Sequence, residues 1–348
     1  MRMIRFYKQS SDMILFKSRD VSAEPRNAKG EWEKGGSTGP RKNKPIEGLE
    51  PGMYHPLHPE WKPLLNDDRL TITSRGGNIP KVSFDVNIYP VGNDREIIAT
   101  YKDQFGNNVT VYTPQAIKNR WAKKLKAVET LEKNLPSLRN KVEKDLSANT
   151  MAVDKMNAAI AMIIDKESVR VGSDQYAKKN NTYGASSIEK RHVSVKGNSV
   201  NLHFRGKDSQ EWNRTIISEP LAKLMKQLAT GKAPGDKLFQ STSADGKQIL
   251  ANEGTISEYM KPFGVTPKDF RTYHACRIAL DILGDREPAK TVKEAKAGIS
   301  EASTAASIFL GNLEGTCRDN YIDPEIFKNY CRELTDDERA KITGVKGK

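Results

Sequence analysis

The hydrophobic period of this chain changes at Pro114, and that change limits the fold more than any other feature. Before it, the segments LTIT (70–73), VSFDVNIYP (82–90), REIIATYK (95–102) and NVTVYT (108–113) are rich in β-branched and aromatic residues. Gly76-Gly77, Gly92-Asn93-Asp94 and Gly106-Asn107 separate them with turn chemistry, so a small antiparallel sheet is expected. After Pro114, residues 115–146 and 150–166 carry apolar side chains at helical spacing, among them Met156, Ile160, Ile163 and Ile164. Strand patterning returns once, over 191–217, as RHVSV, a Lys196-Gly197-Asn198 turn, VNLHF, a tip at Arg205-Gly206-Lys207-Asp208, and QEWNRTII. The remainder is expected to be helical. Thr266-Pro267-Lys268-Asp269 joins a Thr N-cap, a proline at the first position and an aspartate in the first turn. Gly311 should end a helix that starts near Lys290, and Asp323-Pro324 should start the last one.

These elements predict an α+β chain. A small N-terminal antiparallel β domain would occupy 61–114, and a mostly helical domain with an inserted β-hairpin region would occupy 115–348. Residues 1–60 would form a flexible basic extension, because 18–50 are mainly Gly, Pro, Lys and Glu with almost nothing to bury. A length of 348 residues favours two domains over one. There is no internal repeat.

The 57 lysines and arginines exceed the 44 aspartates and glutamates by 13. An excess of that size suits a polyanionic partner, through release of counterions from phosphates. The 3 cysteines are odd in number and widely spaced, which speaks against a disulfide framework or a zinc site. The N-terminus MRMIRFYKQSSDMILF lacks the continuous apolar core of a secretory signal, and no apolar run is long enough for a bilayer. The chain is therefore expected inside the cell, in a bacterial cytoplasm or a viral or host compartment, with no membrane partner.

Arg170, Lys207, Arg271, Asn312 and Tyr321 are the candidate catalytic residues. A tyrosine hydroxyl is a competent nucleophile on a phosphodiester if neighbouring cations help it ionise. Arg271, on the first turns of a helix, offers a guanidinium fork to non-bridging phosphate oxygens. Arg170, placed between an apolar helix and a polar loop, would aim a second guanidinium at the same phosphate. Lys207, on a turn between strands, could protonate a leaving 5′ oxygen. Tyr176, Lys178, Lys190, Arg191 and Lys268 are candidate DNA contacts. His192 and His203 are read as strand residues near DNA, and His55 and His58 as loop residues.

The local text around these residues resembles the type IB DNA topoisomerases, in particular the small bacterial and poxvirus-like group. RVGS-x-x-YAK-x-N-x-x-YG-x-x-x-x-x-x-RHV (170–193) is similar to the family's first-arginine block, and FRGKDSQEWN (204–213) to its catalytic-lysine hairpin. VTPKDFRTYHA (265–275) is similar to the second-arginine block, and LGN followed by YIDP (310–324) to the nucleophile block. IPKVSFDVNIYP (79–90) and IIATYKDQFGN (97–107) resemble the N-terminal clamp domain more loosely. The resemblance implies a Tyr321 nucleophile, a 3′-phosphotyrosyl link, a phosphate held by Arg170 and Arg271, and Lys207 as general acid. It also implies relaxation of both supercoil signs, a monomer closing on double-stranded DNA as a C-shaped clamp, and no cofactor, metal or ATP. No G-x-x-x-x-G-K-[ST] motif is present. Asn312 stands where many members carry histidine, an uncharged donor in place of a charged one. Two other readings use the same residues. A tyrosine recombinase would usually show H-x-x-R at the second arginine, where this chain has Lys268-Asp269-Phe270-Arg271, and a helical N-terminal domain. A non-catalytic DNA-binding protein would account for the charge alone.

Overall fold

The structure is a computed structural model that describes residues 84–89, 96–102, 108–207, 210–242 and 245–343. The expected extension at 1–60, the strand at 70–73, His55 and His58 lie outside the described residues. The fold is α+β. Strands β1 (Phe84–Ile88), β2 (Ile97–Lys102) and β3 (Asn108–Tyr112) form an antiparallel sheet in chain order. Ile98, Ala99, Tyr101 and Val111 make its small core.

The change of period at Pro114 is a helix start. Thr113 Oγ1 accepts from the Ala116 N–H at 3.1 Å, and Pro114 takes a position whose N–H would have no helical partner. Helix α1 (Pro114–Leu146) then runs for 33 residues, on the order of 50 Å at ~1.5 Å per residue. Its buried stripe, Leu131, Leu135, Leu138, Val142 and Leu146, packs against α2 (Val153–Glu167). Arg139 holds Asp165 of α2 with Nε–Oδ2 at 2.8 Å and Nη2–Oδ1 at 3.2 Å, a bidentate pair across the two helices.

The polar loop expected after Arg170 instead contains a short helix, α3 (Asp174–Asn180). Asp174 lies in its first turn and Asn181, at φ 52°, ends it in the left-handed region. His192 is not a strand residue. It closes a 3-10 turn at Lys190–His192, where its Nδ1 accepts from the Glu189 N–H at 3.0 Å. It is buried, with the Tyr183 and Phe204 rings at 4.2 and 6.1 Å. The inserted strands β4 (Val193–Lys196), β5 (Ser199–Arg205) and β6 (Glu211–Ile217) form an antiparallel sheet in chain order. Val200, Leu202, Phe204, Trp212 and Ile216 alternate inward, while His203 stays exposed against Glu211. Helix α4 (Glu219–Ala229), capped by Ser218, covers β4 and β5.

Beyond α4 the chain is not wholly helical. β7 (Gln240–Thr242) and β8 (Gln248–Leu250) pair antiparallel around an Asp245-Gly246 turn with Gly246 at φ 81°. Strands of three residues are too short to display a period, so only the turn dipeptide marks them. Helices α5 (Glu253–Met260), α6 (Pro267–Leu283), α7 (Val292–Leu310), α8 (Glu314–Tyr321), α9 (Pro324–Tyr330) and α10 (Asp336–Thr343) complete the chain. The helix at Pro324 is therefore not the last. Thr335 and Glu338 exchange bonds at 2.9 and 3.3 Å to start α10, a reciprocal cap that the text T-x-x-E already spells. Among the described residues no helix is long and apolar enough to cross a membrane. The three cysteines are free and buried.

Two hydrophobic cores share the helical part. One gathers α1, α2, the inserted sheet, α4 and α5, and reaches Phe270 on α6. The other begins at Ala275 on α6 and takes in α7, α8 and α9. Arg271 lies in the interval between them, 3% exposed.

Candidate active site

Each polar member of the site is held by an element end. α2 stops at Ser168, which takes a left-handed conformation (φ 51°) while its N–H still donates to Ile164 O at 2.9 Å. That turn aims the Ser168 carbonyl at Arg271, whose Nη1 donates to it. Two residues on, the Arg170 carbonyl accepts from the Ala185 N–H at 2.8 Å, which pins the backbone of the first arginine.

At the far end of α7, Gly311 provides a left-handed cap (φ 57°) and reverses the chain into Asn312. Asn312 Oδ1 accepts from Arg170 Nη2 at 2.6 Å and from Arg271 Nη2 at 3.0 Å. Arg271 Nη2 also donates to Leu310 O at 2.8 Å. Tyr321, the last residue of α8, brings its ring to 5.1 Å from the Arg271 guanidinium. Arg170, Arg271, Asn312 and Tyr321 therefore meet in one place.

Three donors are left over there. Arg170 Nη1, Arg271 Nε and Asn312 Nδ2 are buried without a hydrogen-bond partner. A buried unpaired donor costs roughly 1–3 kcal/mol, so three together describe a place made for an acceptor that arrives from outside. Neighbouring guanidinium and amide donors suit a tetrahedral oxyanion. Burial pulls the Arg271 pKa down to about 10, and the like charge of Arg170 adds to this against the opposing pull of Tyr321. An arriving anion would relieve that stress. Burial pushes the Tyr321 phenol up, but the positive charges of Arg271, Arg170 and Lys268 outweigh it and hold the phenol below the usual tyrosine range.

The sequence profile of the eukaryotic DNA topoisomerase I catalytic core matches residues 114–340. The chain belongs to the type IB DNA topoisomerase family. It is thereby an enzyme of the isomerase class, and the recombinase reading falls away. Over 242 residues it is 26% identical to the DNA topoisomerase 1B of Acanthamoeba polyphaga mimivirus, covering 67% of this chain and 70% of that protein. It is 25% identical to DNA topoisomerase 1 of Candida albicans, over 74% of this chain but 34% of the relative. The DNA topoisomerase I of monkeypox virus is 23% identical, over 51% of this chain and 54% of the relative. The chain thus spans about half or less of the Candida and monkeypox proteins.

Lys207 of this type IB chain is carried by a different element, the inserted sheet. It lies exposed on the β5–β6 connection, where the Gly206 N–H donates to Gln210 O at 2.7 Å and the Gln210 N–H to Lys207 O at 3.3 Å. Tyr176 (59% exposed), Lys178 and Lys268 are open to solvent. Lys190 and Arg191 are engaged within the protein. Lys190 Nζ donates to Lys232 O, while Arg191 pairs through Nε with Glu189 at 2.7 Å and donates to the Tyr183 hydroxyl at 3.0 Å.

Two further residues touch the site without any local signal of it. Lys124 of α1 donates to Asn320 O at 2.7 Å and so holds the last turn of the helix that carries Tyr321. Burial and the nearby Lys268 pull its ammonium below the usual lysine range, with Tyr321 opposing. Trp212 lies inside the hairpin block read from the sequence, and the inward alternation of β6 was its only mark.

Proposed function

We propose that this chain relaxes supercoiled double-stranded DNA by transient cleavage of one strand. Tyr321 gives up its phenolic proton to solvent and its Oη attacks the scissile phosphorus; an O–P bond forms, and the bond from phosphorus to the 5′ oxygen breaks. The product is a 3′-phosphotyrosyl link and a free 5′-hydroxyl, with the proton on the leaving oxygen supplied by Lys207. Arg170, Arg271 and Asn312 hold the non-bridging oxygens, and their bonds strengthen as charge builds in the pentacoordinate transition state. The free strand swivels about the intact one. Attack by the 5′-hydroxyl reverses the first step, so the link itself conserves the bond energy and ATP has no part in the cycle. A monomer closing its β domain (61–114) and helical domain (115–348) on the duplex as a clamp, at a location inside the cell with DNA, belongs to the same reading.

The observation that carries this reading is the trio of buried, unpartnered donors beside a tyrosine whose phenol is held below its usual pKa range. The test is relaxation of a supercoiled plasmid in EDTA without ATP, comparing the wild type with Tyr321→Phe. Relaxation of both supercoil signs by the wild type alone is expected. No relaxation by the wild type, or relaxation by Tyr321→Phe, would sink the assignment and leave a DNA-binding protein with an inert or different site.

A further inference from the structure

We propose that Trp212 is a positioning residue for Lys207, tying the turn that carries the lysine to the turn that carries Asn312. The inference rests on the reading of Lys207 as general acid. Trp212 is 3% exposed on the inward face of β6. One edge of its indole lies against Gly206, the residue before Lys207, where a β-carbon would stand 2.5 Å from Nε1 and 2.6 Å from Cδ1. The same edge continues along Gly311, the residue before Asn312, where a β-carbon would stand 2.9 Å from Cζ2, 3.2 Å from Cε2 and 3.5 Å from Nε1. One rigid bicyclic ring therefore touches the backbone of both turns, and both positions are glycines that leave it room.

The ring itself is fixed. Phe204, its partner across β5–β6, stacks on it at 6.2 Å with the planes 16° apart. Arg214, two residues along the same strand, brings its guanidinium to 5.5 Å from the ring centre and donates through Nη2 to Ile308 O of α7 at 2.7 Å. Among the described residues Lys207 has no such support of its own. Its ammonium sits on a long flexible stem at an exposed hairpin connection. A proton donor works only within hydrogen-bond reach of the leaving oxygen. The indole supplies the fixed distance from that turn to the phosphate-binding arginines through Gly311 and Asn312.

The test is single-turnover cleavage of a duplex carrying either an ordinary phosphodiester or a 5′-bridging phosphorothiolate, whose thiolate leaves without a proton. Trp212→Ala is expected to slow cleavage of the phosphodiester by ~10- to 100-fold, a partial loss of the ~10²–10⁴-fold that a general acid supplies, and to stay within ~3-fold of wild type on the phosphorothiolate. Combined with Lys207→Ala, it should slow the reaction no further than Lys207→Ala alone. Gly206→Ala, whose β-carbon forces the turn and the indole apart without removing the aromatic from the core, should show the same selectivity and serves if Trp212→Ala does not fold. An equal loss on both substrates, no loss, or additivity with Lys207→Ala overturns the proposal. Two controls separate that failure from failure of the underlying reading. The wild type must form the covalent adduct, and Lys207→Ala must be rescued by the phosphorothiolate. If either control fails, the general-acid assignment is overturned and this proposal with it.

Discussion

Asn312 is oriented by its neighbours. Its oxygen accepts from both arginines, so its Nδ2 is left without a partner, and in the proposed reaction it is the end that faces the phosphate. An aspartate there would keep both arginine contacts but exchange the free donor for a second anionic oxygen. Asn312→Asp should therefore lose at least ~10²-fold in cleavage rate, the scale of one transition-state donor, and more than Asn312→Ala. Single-turnover rates at saturating DNA check this, and a milder effect from Asp than from Ala would show that Nδ2 does not face the phosphate. Tyr321 supports a second prediction. Its phenol is held below the usual range despite burial, by Arg271, Arg170 and Lys268. Removing a cation raises the energy of the phenolate, so Lys268→Ala should move the alkaline inflection of the cleavage rate to higher pH. An unmoved inflection would mean that Lys268 is too well screened to act on the nucleophile.

At the scale of an element, the C-terminus of α2 carries unusual features. Ser168 is left-handed at φ 51°, and its hydroxyl is buried without a partner. Such a conformation at a non-glycine residue costs roughly 1–2 kcal/mol, and its effect is to turn a carbonyl toward Arg271. Beside it, burial pushes the Glu167 carboxyl up to about 7, against the opposing charges of Arg214 and Lys166. A carboxyl whose folded pKa lies above its ordinary value stabilises the fold fully below that ordinary value. The stabilisation is lost as pH rises through about 7. Glutamine does not titrate. Glu167→Gln should thus match the wild type near ~pH 4 and exceed it by ~1–3 kcal/mol at ~pH 8. Denaturant unfolding at the two pH values checks this, and a pH-independent difference would place the carboxylate in solvent.

At the scale of the molecule, the excess of 13 positive charges bears on how DNA is held. If about six phosphates are neutralised, affinity should fall on the order of 10³-fold between ~50 and ~200 mM salt. Tyr321→Phe, bound to duplex DNA across a salt series, gives the slope without cleavage. A flat response would mean that the charge serves something other than DNA. Arg170→Ala and Arg271→Ala should hardly change that affinity while losing most of the cleavage rate, because their bonds strengthen in the transition state.

Much of this molecule is legible along the chain because its signals are local. Thr113-Pro114 and Thr266-Pro267 start helices, Gly311 stops one, and the inward alternation of β5 and β6 lies open in the text. The chemical types of Arg170, Arg271, Asn312 and Tyr321 were legible too, each within its own block of residues. The three-residue strands β7 and β8 escaped because they are too short to display a period, and α3 and the separate start of α10 escaped because DQYAKKN and DDERAKIT carry no apolar stripe. The arrangement of the site escaped as well. Arg271 is buried between two cores rather than paired at the surface, and it is oriented by the Ser168 and Leu310 carbonyls. Lys124 reaches Asn320 from a helix that starts at Pro114, and one edge of Trp212 meets both Gly206 and Gly311. Period and caps act over a few residues, whereas these contacts join segments far apart in the chain. Residue types can be read from order alone, but the distance between a guanidinium and a phenol exists only once the helices that carry them have packed.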